Sequence, residues 1–170
     1  MDDPVIVEQA PLLLAGLSYY GDPFAYHMEW QIENEIGHLW TRFYRLIQAD
    51  ADFQQQAMQA GVMYEAHILH PESRETGRYE VFVGSVIEDA FRLSPLFVLK
   101  HLPARRYLKY EVSGQAIVDD IEHLQVEKHM QAAGIERDPA YHLLAYDKRF
   151  LGMDRLDEST VSVLIPILAA

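Results

Sequence analysis

The chain has 170 residues, 49% of them apolar and 24% charged, and no cysteine, so one folded domain is expected without disulfides or a thiol nucleophile. Its formal net charge is −12, and seven acidic residues precede the first basic one, Arg42. Binding to a phosphate backbone needs a basic face, so direct nucleic-acid contact is disfavoured, whereas an acidic field suits cationic or neutral ligands.

The start, Met1-Asp2-Asp3, has no basic segment before an apolar run, so no secretory signal is read. The apolar stretches around Leu12–Ala15 and Val161–Ala170 are too short to span a bilayer, and a cytoplasmic location is expected. Residues 5–20 read as a strand. A helix follows from about Asn34 to Gln48, with a continuation to Ala60 left open. Its apolar stripe is Ile36, Leu39, Trp40, Phe43, Leu46 and Ile47, with Asn34 as N-cap and Glu35 in the first turn. Strands are expected over residues 62–69 and 78–88.

The second half repeats this order. A strand runs over residues 96–112, and a helix over 115–133 carries Ile117, Ile121, Leu124 and Met130 on one face. Strands at 141–147 and 160–168 complete it. The punctuation repeats too. Each leading strand holds a proline (Pro11, Pro103) with a glycine about ten residues later (Gly21, Gly114). Each helix closes on Ala-Gly before a β-branched residue, at Ala60-Gly61-Val62 and Ala133-Gly134-Ile135. The expected fold class is α+β: a single domain over 1–170 built of two strand–helix–strand–strand repeats, about 1–92 and 93–170, with both helices on one side of the sheet.

No Gly-x-Ser-x-Gly elbow, phosphate-binding loop or dinucleotide fingerprint occurs. His67 with His70, and His123 with Glu127, are pairs rather than the three or four converging ligands zinc requires, so no metal is expected. The carboxylate pairs (Glu33 with Glu35, Asp119 with Asp120, Asp157 with Glu158) fall at turns or helix starts and read as solvated or capping groups. Aromatic residues are more informative. Tyr19, Tyr20, Tyr64, Tyr79, Phe82, Tyr107, Tyr110 and Tyr146 all lie on expected strands, and burying that many phenols requires partners. A cleft lined by tyrosine and tryptophan supplies them, and aromatic faces beside an anionic surface suit organic cations.

The segments Gly16-Leu17-Ser18-Tyr19-Tyr20-Gly21-Asp22-Pro23-Phe24, Glu35-Ile36-Gly37-His38-Leu39-Trp40-Thr41-Arg42-Phe43, Tyr79-Glu80-Val81-Phe82-Val83-Gly84, Leu102-Pro103-Ala104-Arg105-Arg106-Tyr107, Tyr146-Asp147-Lys148-Arg149-Phe150 and Val163-Leu164-Ile165-Pro166-Ile167 stand in this order along the chain. Together they resemble the GyrI-like small-molecule-binding domain, the effector-binding domain of AraC-type and MerR-type multidrug regulators. The resemblance implies an antiparallel sheet with pseudo-two-fold symmetry, a ligand cleft where the halves meet, and no cofactor. With Met1 just ahead of the first strand, the chain looks like the stand-alone type. Many members of that family carry a pocket glutamate two residues before the tyrosine matching Tyr146, and this chain has Leu144 there. Cation selection then depends on Glu65, Glu80 or Glu111.

The expected function is binding of a small aromatic or lipophilic molecule, cationic or neutral, by Trp40, Tyr64, Glu65, Glu80, Phe82, Tyr107, Tyr110, Leu144 and Tyr146. Two alternatives stay open. One is a hydrolase of small electrophiles with Glu80 or Glu65 as general base and a tyrosine as acid. The other is an interaction module whose acidic surface masks a basic protein. A protein partner or a homodimer also stays open.

Overall fold

Pro11 and Pro103 interrupt the two leading strands, and these breaks set the topology. The computed structural model describes residues 3–25, 34–91, 93–118 and 121–168, and leaves the side chains of 121–125 undescribed. In it, residues 5–20 form two strands, β1 (Val5–Gln9) and β2 (Leu12–Gly21). Residues 96–112 likewise divide into β5 (Val98–Leu102) and β6 (Arg105–Ser113). Proline has no N–H to give a ladder, so each long strand expected from the sequence ends there and resumes in another direction. The remaining strands are β3 (Met63–Ile68), β4 (Tyr79–Val86), β7 (Tyr141–Tyr146) and β8 (Thr160–Pro166).

All eight described strands pair antiparallel in one sheet, in the order β1-β6-β8-β7-β3-β4-β2-β5. Exchanging β1 with β5, β2 with β6, β3 with β7 and β4 with β8 reverses that order and leaves it unchanged, which is the pseudo-two-fold of the repeat. The halves also exchange their outer strands, since β1 pairs with β6 and β5 with β2. They join at the centre through β3 and β7, where Glu65 lies opposite Leu144 and His67 opposite His142.

The helices are α1 (Glu35–Ala49), α2 (Ala51–Ala60), the single turn α3 (Ser73–Thr76) and α4 (Ile121–Ala133). The helical continuation to Ala60 exists but is a separate helix. Asp50 takes an extended conformation, ends α1, and caps α2 by accepting a hydrogen bond from the Phe53 N–H at 2.9 Å. Asn34 caps α1 through the Gly37 N–H at 2.9 Å. Gly61 and Gly134 have φ of 65° and 64°, the left-handed conformation that a side chain disfavours. Ile121, His123 and Leu124 lie outside the described side chains, as do residues Glu33, Asp119 and Asp120 altogether. No described helix is long and apolar enough to cross a membrane.

The six inner strands bury side chains on both faces of the sheet, and the edge strands β1 and β5 bury none fully. On one face α1 and α2 bring Ile36, Leu39, Phe43, Ile47 and Phe53 onto Ala15, Val81 and Val83. On the same face α4 brings Val126 and Met130 onto Leu108, Tyr110, Val112, Val163 and Ile165. The sheet curls so that its other face fills itself with Leu12, Leu14, Tyr64, Phe82, Tyr107, Tyr141, Leu143 and Leu164. Gly16 and Gly84 pair across β2 and β4 in the tightest part of this curl. A Cβ on Gly16 would strike the Val83 carbonyl oxygen, and one on Gly84 would come within 2.5 Å of the Ala15 oxygen.

Candidate functional site

On the helix-covered face, α1 and the end of β7 leave an aromatic cavity of about 340 Å³. Gly37, Trp40, Thr41 and Tyr44 line it from α1, where spacings of three and four residues place them on one flank beside the buried stripe. Tyr146 lines it from β7, and Phe150, Gly152, Met153 and Asp154 from the turn that follows. The rings are set edge to face. Trp40 and Tyr146 have centroids 5.1 Å apart at 74°, and Tyr146 and Phe150 are 4.9 Å apart at 79°. Tyr44 lies 5.7 Å from Trp40 on the outer side.

Beneath this pair lies the carboxylate of Glu65, 1% exposed. Its Oε2 accepts a hydrogen bond from Trp40 Nε1 at 2.6 Å and a longer one from the Tyr146 hydroxyl at 3.4 Å. Its Oε1 lies 2.7 Å from His67 Nε2. Burial, reinforced by the charge and hydrogen bond of Glu65, holds the Tyr146 hydroxyl well above the usual phenol range, so it stays a neutral donor. Among the described residues no lysine or arginine forms an ion pair with Glu65. His67 at 2.7 Å is charged only when protonated, so the buried carboxylate has hydrogen-bond partners but no permanent cation.

The structure divides the expected site residues between the two faces. Trp40, Glu65 and Tyr146 converge on one point. Leu144 shares their face, opposite Glu65, and packs toward the α4 half. Tyr110 is buried on that face beneath α4. Tyr64, Phe82 and Tyr107 point to the other face and form its core, where the Tyr107 and Tyr141 hydroxyls bond at 2.8 Å. Glu80 also lies on that other face, bound by Lys100 Nζ at 2.7 Å and Ser18 Oγ at 2.6 Å, with His70 Nε2 at 3.3 Å. Glu111 is held there in the same way by Lys109, Arg149 and Ser162. Of the three carboxylates weighed for cation selection, Glu65 is the one bonded to the cavity-lining Trp40 and Tyr146, while Asp154 lines the cavity itself.

Tyr44, Phe150 and Met153 were not among the expected site residues, and His67 was weighed only as one of a metal-ligand pair with His70. Two of them had a signal. Tyr44 follows Trp40 by one helical turn, and Phe150 stands four residues after Tyr146 in a segment that already resembled the family. Among the described residues no group of three or more histidines and carboxylates is placed to hold a metal ion.

A curled antiparallel sheet of two repeats with helices on one face is the fold of the GyrI-like class of effector-binding domains. Residues 5–167 match the integron-associated effector binding protein family, Cass2, and the chain belongs to that family. No curated protein matches it. Among solved structures it is similar to SAV2435 bound to tetraphenylphosphonium, at 14% identity and a TM-score of 0.70 over 99% of this chain and 95% of that one. It is also similar to an integron cassette protein from Vibrio cholerae, at 17% identity and 0.61 over 97% and 95%. The C-terminal domain of EcmrR aligns at 11% identity and 0.60 over 99% and 98%. At these identities the likeness is one of fold.

Proposed function

We propose that this protein binds a lipophilic aromatic cation in the cavity between α1 and the end of β7, with Glu65 as counter-charge. One observation carries the reading: the Glu65 carboxylate is buried directly beneath the Trp40 and Tyr146 rings, and no described lysine or arginine pairs with it. A cation lying against these rings gains from their electron-rich faces and from the fixed negative charge behind them. At a separation of ~6 Å and an effective dielectric of about 20, that charge contributes on the order of 3 kcal/mol. The tetraphenylphosphonium in SAV2435 is a guest of this chemical type and supports the assignment. The ligand's role is to be sensed or sequestered, and no turnover is assigned.

The test is a titration of wild type and Glu65→Gln with a triarylphosphonium and with its neutral isostere. Glutamine keeps an acceptor for Trp40 and Tyr146 while removing the charge. The expected result is a cation affinity roughly ten- to a hundredfold lower in the variant, with the neutral isostere little changed. Equal losses for both guests would remove Glu65 as the counter-charge.

A further inference from the structure

We infer that His67 is a proton-operated rival of the ligand for the charge of Glu65, so that binding a cation expels a proton from His67. This rests on the proposed cation site and adds its regulation. His67 Nε2 lies 2.7 Å from Glu65 Oε1, while Trp40 and Tyr146 occupy Oε2. The His67 side chain is 18% exposed, so protons reach it from solvent, whereas the Glu65 carboxylate is 1% exposed.

Neutral His67 donates Nε2–H to the carboxylate and leaves the net negative charge in place for a cationic guest. Protonated His67 keeps that hydrogen bond and adds a full positive charge. It cancels the charge of Glu65 and repels a second cation. Imidazole changes charge between about pH 5 and 8, unlike the other side chains around the site in their ordinary ranges. Acid therefore converts the floor of the cavity from a cation receptor into an internal ion pair that still accepts neutral aromatic guests.

The groups facing His67 support this assignment. Glu65 is on its own strand. The Tyr79 ring, on β4, has its centroid 5.4 Å away, and the His142 ring, on β7, is 4.7 Å away. Tyr79 is a phenol, and Tyr146, reached through Glu65, stays neutral far into the alkaline range. His142 is the other imidazole. It lies opposite His67 in the register, across the β3–β7 pair.

The experiment measures the affinity of a triarylphosphonium and of its neutral isostere between pH 8 and 5.5, for wild type, His67→Gln and His142→Gln. In wild type the cation affinity should fall by about tenfold across this range while the isostere holds level. His67→Gln should flatten the cation profile and His142→Gln should keep it. Calorimetry of wild type near pH 6.5, in buffers of different ionisation enthalpy, should show proton release on cation binding. This readout depends on no variant. Failure of the cation to bind at any pH would defeat the proposed function itself. A cation that binds with a flat profile, or with the same slope in His67→Gln, would overturn the role of His67 and leave the cation site standing.

Discussion

Glu65 and Leu144 face each other across the central β3–β7 pair, on the same side of the sheet. The resemblance places a carboxylate at the position of Leu144. In this chain the carboxylate stands one strand over, at the same level, where Trp40 and Tyr146 both reach it. The buried carboxylate of this chain thus stands across the seam between the halves from Leu144, under the aromatic rings.

Leu144→Glu should set two carboxylates against each other, since the Cβ atoms of directly opposed residues are about 5 Å apart. The variant should lose about 1–3 kcal/mol at pH 7, because the second group must be charged beside the first or pay to stay protonated. Acidification toward pH 5 should restore part of that loss, and a bound triarylphosphonium should restore it at neutral pH. Thermal unfolding against pH, with and without the cation, checks this. A loss that ignores both would make Leu144 a packing residue only.

Trp40 should report the ligand. Its indole both lines the cavity and donates to Glu65, so a bound dye should quench its fluorescence saturably. Trp40→Phe should abolish most of that quenching. The same change removes a donor from a buried carboxylate, at a cost of about 1–3 kcal/mol. Denaturant unfolding and dye titration of the variant measure the two effects separately. Quenching that persists unchanged would transfer the response to Trp30, which lies outside the described residues.

Acid should unfold the protein through carboxylates outside the cavity. Burial pushes the Glu80 carboxyl up, but hydrogen bonds from Lys100 and Ser18 more than offset this and hold it below its ordinary range. Hydrogen bonds from the Arg149 side chain lower Asp147, and the Ala140 N–H together with Arg105 lowers Asp138. Groups whose folded values are depressed stabilise fully above the unfolded value, and that stabilisation is lost as pH falls through the folded one. The Tm should therefore hold down to about pH 4 and drop below it. Glu80→Gln should make the drop shallower, read from Tm between pH 3 and 7.

Gly16→Ala should be among the most damaging single-methyl additions. The new Cβ would meet the Val83 carbonyl, a backbone atom tied into the β2–β4 ladder that cannot step aside as a side chain can. A loss of about 2 kcal/mol or more in denaturant unfolding is expected, against a few tenths for a methyl added at an exposed site. An unchanged unfolding midpoint would show that the two strands can separate at this point.

Local chemistry was legible in the sequence because it acts between near neighbours. The apolar stripe of α1, the Asn34 cap and the glycine ends at Gly61 and Gly134 each depend on residues within about one helical turn. The repeated order of strands and helices followed from the same short-range signals. Pro11 and Pro103 stand inside long strands expected from the sequence, whereas in the structure each separates two strands that pair with the opposite half. That outcome depends on a partner some hundred residues away, and local signals carry no record of it. The faces were hidden for a related reason. Alternation identifies a face when one side of a strand is apolar and the other polar, but here helices cover one side and the curled sheet fills the other, so apolar residues mark both. Tyr64 and Glu65 are adjacent in the chain and point to opposite cores. Only the registers that bring Trp40, 25 residues away, and Tyr146, 81 residues away, onto one carboxylate decided that Glu65, rather than Glu80 or Glu111, lies beneath the rings of the cavity.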